Sequence, residues 1–341
     1  MTTTTTDSLA KARALAREGV RRSLDRLDAD DRRVCGYHLG FWDADGQQEP
    51  SPETAGGKQI RAMLALLSAQ AGGAPAQDGV PAAVACELVH NFSLLHDDIM
   101  DGDTERRHQP TAWAVYGQSA AILAGDAMLT LACEVLAEAP SPTASWAVRC
   151  LSAATRRLIA GQTADLAFEQ RRDVTPKECL AMERDKTGAL LGCAASLGAV
   201  LVEAPAPVAW GLADFGDHLG AAFQAVDDLL GIWGEPERTG KPVLADLRAR
   251  KKSLPVVAAL ASEGDAARRL ADLYHRADDL DEEQLHEAAR LIEDAGGRAV
   301  AERTADEERA AALAAVAGLD LPEEVHGRLC ELTDQLATRD H

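Results

Sequence analysis

Between Ala82 and Met100 the chain places apolar residues at Ala85, Leu88, Val89, Phe92, Leu95 and Ile99. Steps of three and four put them on one side of a helix, so the segment predicts a helix with a broad apolar face. The same run closes on Asp97, Asp98 and Asp101, and Gly102 ends it. Acids at positions i and i+4 share one helix face, a turn apart, and repel each other unless something cationic lies between them. A second apolar run, from Ala221 to Gly234, closes on Asp227 and Asp228. Carboxylate oxygens suit a hard ion such as magnesium. Two such clusters on separate helices can hold magnesium ions around one diphosphate.

Composition extends the helical reading to the whole chain. The 341 residues are rich in Ala and Leu, and aromatic residues make up only 4%. Good helix formers dominate and strand formers are few. With 46% hydrophobic residues a large core can form. The net charge of -20 argues against nucleic acid or an anionic membrane as partner, since both need a basic footprint. An anionic substrate must then rely on local bases and metal ions. Seven scattered Cys with no CxxC fit a reducing compartment and no disulfide framework. The N-terminus lacks the apolar core of a leader. The longest uncharged stretches, Thr111–Gly125 and Ala189–Val202, fall short of the roughly 20 residues of a spanning helix. The expectation is a cytoplasmic protein without a transmembrane segment.

Punctuation by Gly and Pro divides the chain. Residues 1–7 are expected to be a disordered tail, followed by an amphipathic helix to about Leu27 and a loop from Gly36 to Gly57. Helices are predicted at about 58–71, 82–100, 112–138, 143–170, 175–203 and 207–232, bounded by Pro140, Pro142, Pro176, Pro205 and Pro207. A charged loop from Gly234 to Ser253 precedes shorter, more polar helices. No linker divides the chain, so residues 1–341 are read as one domain.

Three segments carry chemistry. In the first, acids stand among Phe92, Leu94, Leu95, Ile99 and Met100, and Arg106 and Arg107 follow. Carboxylates in apolar surroundings need partners. In the second, Gln224, Asp227 and Asp228 stand at i, i+3 and i+4. The loop after them is basic, with Arg238, Lys241, Arg248, Arg250, Lys251 and Lys252. Acids for metal beside bases for phosphate are what a metal–diphosphate site requires. The third is Gly56-Gly57-Lys58-Gln59-Ile60-Arg61. Glycines before a helix start let backbone amides approach a phosphate, and Lys58 and Arg61 add charge.

Together with Ile122–Leu129, the block Gly161–Leu166 that holds Gln162, and Lys186-Thr187, these segments resemble the trans-isoprenyl diphosphate synthases, or polyprenyl synthetases, from about Gly56 to Pro255. The resemblance implies an all-α isoprenoid synthase fold, long helices around a deep central cavity, usually in a homodimer. It implies that Asp97 and Asp101 bind two magnesium ions on an allylic diphosphate and that Asp227 binds a third. Asp98 belongs to the same catalytic motif. Arg106, Lys186 and Lys241 then grip the allylic diphosphate. Gly57, Lys58, Arg61, His90 and Arg107 form the isopentenyl diphosphate site, with Gln162 and Lys251 as further substrate contacts. Gln224 and Thr187 lie near the reacting carbons. The reaction implied joins isopentenyl diphosphate to dimethylallyl, geranyl or farnesyl diphosphate.

Departures from the pattern are specific. Gly231 stands where the third acid of the second motif is usual, and Gln59 replaces an Arg. His108 follows the paired arginines, and Trp113 takes a place where His is common. Product length is read from Phe92, five residues before Asp97, about 7.5 Å along a helix axis, with the small Ser93 beside it. A large floor there, with no insertion in the first motif, resembles geranylgeranyl diphosphate synthases and implies a twenty-carbon product. Three alternatives stay open: a farnesyl diphosphate synthase, a class I terpene cyclase using the same metal site, and a non-catalytic partner subunit. Retention of Lys58, Arg61, His90 and Arg107 favours chain elongation over cyclisation.

Overall fold

The computed structural model describes residues 3–47, 59–106, 109–234, 243–274, 276 and 278–337. The described chain is almost wholly helical, as composition predicts. Its helices are α1 (Thr3–Ser23), α2 (Ala29–His38), α3 (Ile60–Ala71), α4 (Val80–Met100), α5 (Ala112–Tyr116), α6 (Gln118–Ala137), α7 (Ala144–Glu169) and α8 (Pro176–Glu183). They continue with α9 (Ala189–Leu201), α10 (Ala206–Trp233), α11 (Ala245–Arg248), α12 (Leu254–Leu260), α13 (Asp265–Tyr274), α14 (Glu282–Asp294), α15 (Gly297–Ala317) and α16 (Glu323–Ala337). Two two-residue strands, β1 (Glu105–Arg106) and β2 (Gln109–Pro110), pair antiparallel.

Differences from the expected boundaries have local causes. α1 begins inside the expected tail, since a helix already nucleated propagates one bond per residue. α2 runs through Gly36, over which the Trp42 ring packs; a Cβ there would lie 1.8 Å from the ring. The helix expected over 112–138 breaks at Gly117, whose φ of +87 suits only glycine. The helix expected over 175–203 is interrupted by a π-turn, Arg184–Gly188. The loop expected from Gly234 contains α11. α8 starts as its sequence dictates: Thr175 caps it, Glu178 reaches back to the Thr175 N–H, and Pro176 fills the first turn.

The chain forms two compact units. The first comprises residues 1–155, 193–213 and 319–325. Within it α4 is central, with α1, α3 and α6 packed on it and α2 on α6. The predicted apolar face of α4 is the one buried: Ala85, Leu88, Val89, Phe92 and Leu95 are all core. α6 is long and apolar enough to cross a membrane by length and composition alone, yet it carries Asp126 and Glu134 and packs on α4 and α2.

The second unit comprises residues 156–192, 214–318 and 326–341. There Ala225, Val226 and Leu229 of α10 pack with Phe168, Met182, Leu254 and Val257. Ile232 joins a neighbouring cluster with Leu244, Leu247, Val256 and Ile292. Asp227 and Asp228 therefore stand on a helix anchored on both sides by core. All seven cysteines are free, as their scatter predicts.

Candidate active site

In the first unit the acids end α4 where the apolar stripe requires. Asp98, on the buried side, is 1% exposed and receives Arg106 Nε at 2.7 Å and Nη2 at 2.6 Å. Burial raises the Asp98 pKa and Arg106 opposes that rise. Asp97 is partly exposed and Asp101 exposed, one turn apart on the other side. The Asp103 N–H donates to the Asp98 carbonyl, and the Asp103 carbonyl accepts from Thr111 Oγ1 and Trp113 Nε1. Trp113 thus fixes the turn that follows the motif. Arg106 arrives on β1 already paired with Asp98, which aligns it beside the cluster.

One turn earlier, Phe92 is buried with its ring edge-on to His96 at 4.9 Å. His96 Nε2 lies 3.0 Å from the Ile122 carbonyl, and Gly125 makes room for it, since a Cβ at 125 would meet His96 at 2.4 Å. Phe92 is therefore held against a His96 that α6 fixes in place. Ser93 Oγ donates to the carbonyl of His90, which is itself half-buried. At the start of α3, burial lowers the Arg61 pKa while Glu87 opposes the change. Glu87 Oε1 also accepts from the Ala62 N–H. Gly57, Lys58, Arg107 and Lys241 lie outside the described residues.

In the second unit the π-turn carries Lys186 and Thr187. Lys186 Nζ lies 2.5 Å from Asp165 Oδ2. Thr187 Oγ1 donates to Gln224 Oε1 at 3.0 Å, and Gln224 Nε2 donates to Asp228 Oδ1 at 2.9 Å. The Leu254 N–H completes the set on Asp228 Oδ2 at 2.8 Å. This relay fixes which end of the Gln224 amide faces which neighbour. Asp228 is 2% exposed and spent on it, while Asp227 beside it is partly exposed. Gln162 is buried, and both ends of its amide are without a protein hydrogen bond among the described residues.

Four residues here have places that the sequence reading did not assign. Asp165 could have been found as an acid one turn after Gln162. Glu183 gives no such signal; it is buried against Asp228, and burial together with that charge pushes its carboxyl well above the usual range. Lys251 is expected to touch substrate, but it sits among acids. Burial disfavours its charge, and Asp228, Asp246, Asp165 and Glu183 outweigh burial and raise its pKa. Asp246 accounts for Gly231: a Cβ at 231 would lie 2.2 Å from Asp246 Oδ2 and 2.5 Å from its Cγ. His96 is the fourth, as the support of Phe92.

A sequence model of the polyprenyl synthetase family matches residues 49–292. The chain belongs to the polyprenyl synthetase family. It is 46% identical to a (2E,6E)-farnesyl diphosphate synthase of Mycobacterium bovis, over 99% of this chain and 94% of that protein. A geranylgeranyl diphosphate synthase of Mycobacterium tuberculosis is 43% identical, over 90% of this chain and 87% of that protein. The crystal structure of a polyprenyl synthetase from Streptomyces coelicolor superposes with a TM-score of 0.91 at 48% identity, covering 97% and 99% of the two chains. The isoprenoid synthase fold is therefore established, and the chain is a prenyl diphosphate synthase, a prenyltransferase. Such synthases join isopentenyl diphosphate to an allylic diphosphate and need a divalent metal.

The donor set fits such a metal. Among the described residues no group of three or more His, Cys, Asp or Glu is placed to hold a metal ion by itself. Asp97 and Asp101 are two carboxylates one turn apart, the first partly exposed and the second exposed. Magnesium is commonly held by one or two carboxylates plus substrate phosphates, keeping several waters, and two oxygen donors suit that mode.

Proposed function

We propose that this synthase extends an allylic diphosphate to geranylgeranyl diphosphate, using magnesium, three ions per active site. Asp97 and Asp101 would hold two of them and Asp227 the third. Bound there, magnesium supplies Lewis-acid neutralisation of the leaving diphosphate. The protein's own groups do the rest. Lys186 and Arg106, with Lys241, orient the allylic diphosphate so that its C–O bond ionises. Arg61 and His90, with Gly57, Lys58 and Arg107, place isopentenyl diphosphate so that its double bond attacks the allylic carbon. The new carbon–carbon bond forms, diphosphate leaves, and a proton is lost from the isopentenyl unit to the released diphosphate. Gln162, Thr187 and Gln224 line the reacting centre, and Lys251 stabilises the acids beneath it. The family match spans residues of both units, which supports reading the chain as one catalytic domain. The free cysteines support a cytoplasmic setting. The exposed Ile122 and Leu123 on α6 support a homodimer.

The single observation that carries the reading is the Thr187–Gln224–Asp228 relay, which ties the reacting-centre residues to the second acidic motif. The twenty-carbon product rests on Phe92, held edge-on against His96 five residues before Asp97. A fifteen-carbon product is the second reading, favoured by the 46% identity to a protein named farnesyl diphosphate synthase. The test incubates purified protein with magnesium, labelled isopentenyl diphosphate and dimethylallyl, geranyl or farnesyl diphosphate. Elongation of farnesyl diphosphate by one unit is expected. Accumulation of the fifteen-carbon product would select the second reading. A cyclic hydrocarbon formed without isopentenyl diphosphate, or no turnover of any allylic substrate, would overturn chain elongation.

A further inference from the structure

Lys186 and Thr187 sit in a π-turn, not in the regular ladder of α8 or α9. A π-turn inserts one residue into a helix and occurs often at functional sites. Its backbone lacks the usual hydrogen-bond register, so its orientation depends on what surrounds it. The surroundings are specific. Arg184 and Asp185, the two residues before Lys186, both end in ion pairs. Arg184 Nη2 meets Glu308 Oε1 of α15 at 2.5 Å, and Glu308 Oε2 lies 2.7 Å from His218 Nδ1 of α10. Asp185 Oδ1 accepts from Arg157 Nε of α7 at 2.7 Å. The same guanidinium spans both Asp217 oxygens at 3.2 Å and reaches the Arg184 carbonyl at 3.5 Å.

Glycines close the arrangement. A Cβ at Gly161 of α7 would lie 2.3 Å from the Lys186 nitrogen, and one at Gly220 of α10 would lie 2.5 Å from the Gly188 Cα. Two helices, α7 and α10, thus clamp the turn at backbone contact, and ion pairs set its rotation. Arg157 is part exposed, with a 44% accessible side chain, and an isolated pair there would add little to stability. Glu308, with 10% side-chain exposure, is tied to Arg184 of the turn and His218 of α10. That is more connection than a solvated surface pair has.

We propose that Arg157 and Glu308 are positioning residues of the synthase reaction. They hold the π-turn in the rotation that aims Lys186 and Thr187 at the allylic diphosphate, and they do so without touching substrate. This rests on the proposed role of Lys186.

The variants are Arg157→Gln, which removes the charge and shortens the side chain, and Glu308→Gln, which keeps size and removes the charge. Each is measured for kcat, KM for both diphosphates and thermal midpoint. Because a 1 Å misplacement can cost about a hundredfold in rate, kcat should fall roughly tenfold to a hundredfold. KM for isopentenyl diphosphate should stay within about twofold, as when an interaction made only in the transition state is lost. In a Lys186→Ala background Arg157→Gln should lower kcat by clearly less than in the wild type, the remainder acting through Thr187, since residues acting through one group are not additive. Unchanged kcat with only a lowered midpoint would reduce the network to scaffolding and overturn the proposal. So would an undiminished effect of Arg157→Gln in the Lys186→Ala background. If Lys186→Ala alone keeps full activity, both the proposal and the site reading beneath it fall.

Discussion

Restoring the acid that the second motif lacks should harm this protein, and the structure says by how much. Gly231 lies in the last turns of α10, and the Asp246 carboxyl group occupies the space that a side chain there would enter, with all three of its terminal atoms within 3.0 Å of an added Cβ. Gly231→Ala tests the steric part alone. Overpacking typically costs about 1–3 kcal/mol, offset by up to ~1 kcal/mol for replacing glycine within a helix. Gly231→Asp adds charge. Two carboxylates about 4 Å apart at an effective dielectric near 20 repel by about 4 kcal/mol. Asp246 is only 8% exposed, so water screens little, while the Lys251 ammonium nearby offsets part. A net loss of roughly 3 kcal/mol is expected, which lowers the thermal midpoint by about 4 °C in a chain of this size. The assay is thermal unfolding of Gly231→Ala, Gly231→Asp, Asp246→Ala and the Gly231→Asp/Asp246→Ala double variant. The double variant should recover about 2 kcal/mol relative to additivity, as residues in contact do. Wild-type stability for Gly231→Asp, or a double variant that is merely additive, would refute the account of Gly231.

Three further outcomes are expected. Asp97→Ala should abolish turnover with the helical circular dichroism signal unchanged, and retained activity would remove Asp97 from the metal site. Phe92→Ala should lengthen the product by at least one unit and cost about 3–5 kcal/mol of stability, read by chromatography of the dephosphorylated products; an unchanged product places the floor elsewhere. Arg171 and the Thr175 cap hold Glu178 down to about 2, below its ordinary 4.5. A depressed carboxylate contributes stability above its unfolded value and loses it as pH falls through the folded one. The thermal-midpoint gap between wild type and Glu178→Gln should therefore close between pH 5 and pH 2, and a gap constant over that range would contradict the assignment.

Much of this fold was legible because helices announce themselves locally. The α4 stripe, the Thr175–Glu178 capping box and the prolines at the starts of α8 and α10 each act over a few residues, so periodicity and punctuation recover them. What escaped was non-local or backbone-specific. The π-turn at Arg184–Gly188 carries no local signal of the kind that marks a cap or a proline, and its close contacts, Gly161 and Gly220, come from other helices. The break at Gly117 needs a φ of +87, which a glycine permits but does not demand.

The site divides along the same line. Asp97, Asp101 and Gln224 were singled out because their residue types and spacing carry the chemistry, and Lys186 and Thr187 through the resemblance to the family. Their partners were not assigned because those come from distant segments: Asp165 to Lys186, Glu308 and Arg157 to the residues before it, Asp246 to the space beside Gly231. Gly231 shows why a motif read along one strand of sequence can mislead. Counted along α10, the acid one turn after Asp227 is missing. Counted in space, that volume holds a carboxylate delivered by α11, between Leu244 and Arg250, both non-glycine residues in the left-handed region. Such strained positions persist only where surrounding structure enforces them, and here Leu244 and Leu247 are pinned in the core. The glycine is therefore the condition for the acid that replaces it: a side chain at 231 and a carboxylate from α11 compete for one volume, and this chain has resolved the competition in favour of the second.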